Sequence, residues 1–92
     1  MINCNLQDFV HTIHLGEDAA FIYKGVKYFS QGWFENGKYT LTLDIIDPPG
    51  TDYLWLKSGT DRDLIANELF ETPLFNGKSF WEIEKDVEWV DW

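Results

Sequence analysis

Asn36-Gly37 separates the aromatic run YFSQGWF (28–34) from the alternating run YTLTLDI (39–45). A chain with this layout folds back on itself, because Asn-Gly supplies two adjacent residues that tolerate positive φ, as a two-residue hairpin turn of the I′ type demands. Residues equally distant from the turn then face each other, so Phe34 meets Tyr39 and Tyr28 meets Ile45. Lys24-Gly25 repeats the logic one strand earlier, setting Tyr23 against Val26 and Phe21 against Tyr28. Side chains alternate across a strand. One face of the sheet therefore collects Phe21, Tyr23, Val26, Tyr28, Phe34, Tyr39, Leu41, Leu43 and Ile45, enough for a core beneath helices. The other collects Ile22, Phe29, Trp33 and Ile46 among Lys27, Gln31, Thr40, Thr42 and Asp44, which is more apolar surface than a solvent face needs.

Helical signals flank this meander. Leu6, Phe9, Val10 and Ile13 fall at i, i+3, i+4, i+7, with Asn5 as N-cap and Gly16 as the stop, giving a helix over 5–15. Pro48 and Pro49 end the third strand because neither can donate to a ladder, and YLWLK resumes as a fourth strand over 53–57. A second helix covers 61–71, with Thr60 as cap, Leu64, Ile65 and Leu69 as its packing face, and Pro73 just past its end. Ser79 and Glu82 form a capping box for a helix over 79–85, while Glu82, Glu84, Asp86 and Glu88 recur at period two, so an extended tail follows. The expected architecture is one α+β domain over 1–92: a four-stranded antiparallel meander (19–23, 26–34, 39–46, 53–57) with helices mainly on one face. The remaining glycines, at 25, 32, 37, 50, 59 and 77, are spaced as turn residues.

The chain of 92 residues carries 16 acids against seven Lys and Arg, net charge −9, with 45% hydrophobic residues. The imbalance sits in the second half: residues 1–46 hold five acids and three bases, residues 47–92 eleven acids and four bases. Such a surface repels phosphate, which argues against direct contact with nucleic acid or an anionic membrane and favours a basic protein partner. A single cysteine, Cys4, allows no intrachain disulfide, no basic-then-apolar leader opens the chain, and no apolar run reaches the ~20 residues of a membrane span. The expected setting is the cytoplasm.

Catalytic and metal signatures are weak. His11 and His14 stand one helical turn apart beside Asp8, but at i, i+3 rather than in an H-E-x-x-H arrangement, and a third ligand would have to come from Cys4 or Glu17. Cys4 lacks the held base and orienting group that a nucleophile needs. No glycine run cradles phosphate, and no carboxylate pair faces another across a cleft. The expectation is therefore no enzyme and no cofactor.

The five tryptophans, at 33, 55, 81, 89 and 92, exceed what a core this small can centre. Tryptophan is enriched at interface anchors. The partner-binding candidates are Phe29 and Trp33 on the sheet with Glu82, Glu84, Asp86, Glu88, Trp89, Asp91 and Trp92 in the acidic tail. The competing reading folds the C-terminal tryptophans back over Phe29 and Trp33, and a homodimer through that face is the third. The segments YKGVKYFSQGWFENGKYTLTLD and PLFNGKSFWEIEKDVEWVD resemble small acidic proteins of unassigned activity from bacteria and their prophages, a resemblance that implies no site. The leading expectation is a non-catalytic acidic module that occupies a basic site on a partner, such as a nucleic-acid-binding enzyme. It would act as a phage or mobile-element inhibitor of host defence that imitates the charge of DNA. The alternative is a small metal- or ligand-binding domain or enzyme using His11 and His14, or a structural homodimer.

Overall fold

Both predicted hairpin turns form, with positive φ at Lys24 (49°) and Gly25 (77°) and at Asn36 (53°) and Gly37 (76°). They join β1 (Ala19–Tyr23), β2 (Val26–Glu35) and β3 (Lys38–Asp47), and the register is the one the turns dictate, Tyr23 opposite Val26 and Phe34 opposite Tyr39. The computed structural model describes residues 1–47 and 52–90. The predicted break at Pro48-Pro49, the turn glycine Gly50, and the tail residues Asp91 and Trp92 lie outside the described residues.

The fold is α+β, with a five-stranded antiparallel sheet ordered β4-β3-β2-β1-β5 and three helices. The fifth strand, β5 (Glu88–Val90), departs from the expected four: the tail after the third helix pairs antiparallel with β1, Phe21 opposite Trp89. Of the acids expected at period two, Glu82, Glu84 and Asp86 lie in the helix and the turn after it, and only Glu88 falls on this strand, where it is exposed beside half-buried Trp89 and Val90. β4 (Trp55–Gly59) lies two residues later than expected, pairing Trp55 with Leu43 and Gly59 with Tyr39. At the far end of β2 and β3, Tyr28 faces Ile45 and Lys27 faces Asp47, so Ile46 sits in a β-bulge with no residue opposite it.

Helix α1 (Leu6–Leu15) starts where Asn5 accepts the N–H groups of Gln7 and Asp8, and stops at Gly16 in the left-handed conformation. Helix α2 (Arg62–Glu71) is capped by Asp61, whose carboxylate accepts the Leu64 N–H at 3.1 Å, rather than by Thr60. A carboxylate there also answers the positive end of the helix. Its buried stripe is Ile65, Ala66, Leu69 and Phe70; Leu64, one residue off that stripe, is 66% exposed. Helix α3 (Phe80–Ile83) opens with Glu82 accepting the Ser79 N–H at 3.0 Å and passes into a 3₁₀ turn over 84–86.

All three helices cover one face of the sheet, where an aromatic core assembles. Phe9 stacks on Phe80 and meets Phe21 edge-on, both at 5.5 Å between ring centres, and Phe21 stacks on Tyr28 at 5.1 Å. Phe75 enters the same core from a tight turn at Asn76-Gly77. Phe34 belongs to this face but is 68% exposed, because the tip of the β2–β3 hairpin projects past the helices. Gly32 and Gly59 are strand residues, not turn residues. At Gly32 a Cβ would lie 2.2 Å from the Tyr39 hydroxyl oxygen, so glycine is required for the tyrosine ring to lie across β2.

Candidate interaction surface

The second face of the sheet has no helix across it among the described residues, and the strand register specifies its rows. One row runs Val90, Ala20, Phe29, Asp44; the next Glu88, Ile22, Lys27; a third Gln31, Thr42, Leu56; a fourth Trp33, Thr40, Ser58. Ile22, Phe29 and Trp33 are half-buried and Leu56 is 49% exposed. Between them the small residues Ala20 and Thr42 are closed off from solvent. The polar groups are knitted into the sheet: Thr40 and Ser58 share a hydroxyl hydrogen bond of 2.7 Å, and the Thr42 hydroxyl donates to the Gln31 carbonyl. Asp44, beside Phe29 in its row, has a carboxyl held above its ordinary value by burial, so this acid is partly stripped of water.

The expected partner-binding residues divide. Phe29, Trp33 and Glu88 share this open face. Glu82 caps α3. Glu84 accepts the N-terminal ammonium of Met1 at 2.7 Å, with the Met1 side chain fully buried and that of Glu84 18% exposed. Asp86 is exposed in the 3₁₀ turn, away from the rows above. Trp89 points to the helix side, half-buried, edge-on to Phe9 at 5.2 Å, and its backbone is held by Asn3. The packing reading of Trp89 thus describes where the ring lies, although it lies beneath α1 and not over Phe29 and Trp33. Ile22, Asp44, Leu56 and Val90 complete the face. The first two are readable from hairpin alternation; Leu56 and Val90 need the pairings of β4 and β5.

His11 and His14 line a different feature, a groove of about 470 Å³ bounded by Leu6, Val10, Arg62 and Trp81. His14 Nδ1 lies 2.9 Å from Asp63 Oδ1, joining α1 to α2, and that hydrogen bond chiefly holds the Asp63 carboxyl below its ordinary value. Among the described residues no three His, Cys, Asp or Glu side chains converge as metal ligands would. Cys4 is half-buried with Sγ 3.7 Å from Met1 Sδ, and burial pushes its thiol up, which disfavours the thiolate. No helix among the described residues is long and apolar enough to cross a membrane. No protein-family model, curated protein or solved structure matches the chain.

Proposed function

We propose that this protein is a non-catalytic, acidic protein-binding module whose open sheet face docks on a basic site of a partner protein, a nucleic-acid-binding enzyme being the class that fits its charge. The observation that carries the reading is a sheet face that no helix among the described residues crosses, with Trp33, Ile22 and Leu56 set among Asp44 and Glu88 on a chain of net charge −9. Aromatic and aliphatic groups give contact area that dissociates slowly, and the surrounding negative field raises the rate of encounter with a cationic surface. A mobile-element inhibitor that imitates the charge of DNA is the biological role this chemistry serves.

The test is affinity capture with the protein and its Trp33→Glu variant, followed by assay of any captured nucleic-acid enzyme. Trp33 is half-buried, so the melting temperature of the variant is measured alongside, and capture is compared where both proteins are folded. Recovery of a basic enzyme by the parent, its inhibition in solution, and loss of both in Trp33→Glu is the expected result. Equal recovery by both proteins refutes the face as the docking site. The His14–Asp63 pair beside a groove with Arg62 and Trp81 favours a second reading, a site for a small anionic ligand. Ligand-dependent stabilisation abolished by Arg62→Gln, with no partner captured, would favour it instead.

A further inference from the structure

The sheet has two edges, and the chain treats them differently. On β5 the backbone N–H and C=O of Trp89 point away from β1, and the Asn3 carboxamide meets both: Nδ2 donates to the Trp89 carbonyl at 2.7 Å and Oδ1 accepts the Trp89 N–H at 3.0 Å. Beside it the Ile2 N–H donates to the Val87 carbonyl at 2.9 Å. This edge is closed by the chain's own N-terminal segment. The β4 edge has no such cover among the described residues.

Which backbone groups β4 presents follows from the hairpin. A two-residue turn makes Glu35 and Lys38 a mutually hydrogen-bonded pair, so along β3 Tyr39, Leu41 and Leu43 direct their backbone groups to β4. Their partners Gly59, Lys57 and Trp55 use theirs inward, and Leu56 and Ser58 direct their N–H and C=O outward. Alongside that edge runs a groove of about 470 Å³ between β4 and α2. Leu64, Glu68 and Glu71 form its helix side at i, i+4, i+7, and Leu64 is 66% exposed. The cation in its lining, Lys57, lies 3.4 Å from Glu68 with both side chains about half exposed, a pair that a competing cation displaces at little cost.

We infer that this edge and groove form a second docking site, which takes an extended basic peptide segment of a partner protein by strand addition to β4. The peptide's outward backbone groups pair with those of Leu56 and Ser58. Alternate side chains face α2, where Glu68 and Glu71 select Lys or Arg, and the others lie beside Leu56, where apolar residues fit. A second copy of the chain offers the wrong charge, since pairing two β4 edges brings Glu68 and Glu71 of both copies together on molecules of net charge −9. The site adjoins the open face and shares Leu56 with it, but its pairing backbone and the α2 acids Glu68 and Glu71 are untouched by Trp33→Glu.

The test titrates the full-length protein with a blocked eight-residue peptide of alternating Val and Lys, while following backbone amides by NMR. Binding that shifts the Leu56 and Ser58 amides and slows their exchange is expected. Backbone N-methylation of the peptide on its pairing edge, which keeps charge and composition, should weaken it at least about tenfold, as loss of main-chain hydrogen bonding requires. The pair Glu68→Lys and Glu71→Lys, both on the exposed face of α2, should reverse the preference toward a Val/Glu peptide. No binding, equal binding of the N-methylated peptide, shifts centred away from β4, or dimerisation through β4 in sedimentation would each overturn the inference.

Discussion

Tyr39→Phe should stabilise this protein, although it deletes a polar group from its centre. Tyr39 is 2% exposed, and its hydroxyl is buried with no hydrogen-bond partner. The oxygen occupies a slot that only glycine leaves open, since a Cβ at Gly16 or Gly32 would fall 2.5 or 2.2 Å from it. A buried hydroxyl without a partner costs about 1–3 kcal/mol in forfeited hydration. The dispersion attraction of one oxygen offsets this by only about 0.1–0.2 kcal/mol per neighbouring atom. The net gain on removing it should be about 1 kcal/mol, or roughly 4–8 °C in melting temperature for a domain of this size. Gly32→Ala should cost about 1–3 kcal/mol by overpacking. Combined with Tyr39→Phe it should cost less than the sum of the two, because the closest neighbour of the new methyl is the oxygen that has been removed. Burial also raises the Tyr39 titration above its usual 10.0, with nearby Arg62 lowering it by less. Such a group is neutral and harmless below pH 10, and stability falls as pH rises past 10 because only the unfolded chain ionises freely there. Tyr39→Phe should therefore lose less stability at alkaline pH than the parent. Urea and thermal unfolding at pH 7 and above pH 10 measure both effects. A loss of more than about 1 kcal/mol at pH 7 would mean that the hydroxyl has a partner and that the slot is misread.

Asn3→Ala should free the β5 edge and cost about 1–2 kcal/mol, the worth of two hydrogen bonds on a strand edge, seen as faster exchange of the β5 amides with the β2–β3 amides unchanged. Trp89→Ala should cost about 3–5 kcal/mol as a large aromatic leaving a packed site, so a melting temperature equal to the parent's would contradict its placement against Phe9. Partner affinity should rise with pH through the Asp44 titration: the free protein holds this carboxyl above its ordinary value, favouring the proton, whereas a docked cation favours the ionised form. Affinity measured across the acid range should lose that slope in Asp44→Asn, and an unchanged slope would remove Asp44 from the contact.

The parts legible in the sequence are those fixed by neighbours in the chain. Asn36-Gly37 and Lys24-Gly25 are local devices, and each dictates its hairpin's register without reference to the rest of the fold. The α1 boundaries follow from Asn5 and Gly16 for the same reason. β5 reads from sequence only as an extended tail because three residues carry almost no intrinsic strand signal, and its support comes from β1 and from Asn3, 86 residues away from Trp89. The register of β4 is hidden because no turn signal ties it to β3 as the two hairpins are tied. The glycine at 32 answers to Tyr39 across the hairpin, a demand that spacing along the chain does not express. Within the candidate surface, Phe29 and Trp33 follow from alternation alone. Glu82 and Glu84 do not belong to it because a capping role and an N-terminal ammonium engage their carboxylates.

The most direct test of the open-face proposal is side-chain footprinting by hydroxyl radicals on the complex with a captured basic partner, compared with the free protein. Trp33 and Leu56 should lose reactivity on binding, while Trp81, 44% exposed on the helix side, keeps its reactivity. Unchanged labelling of Trp33 in a stable complex, with protection of Trp81 in its place, would move the interface to the histidine groove and contradict the proposal.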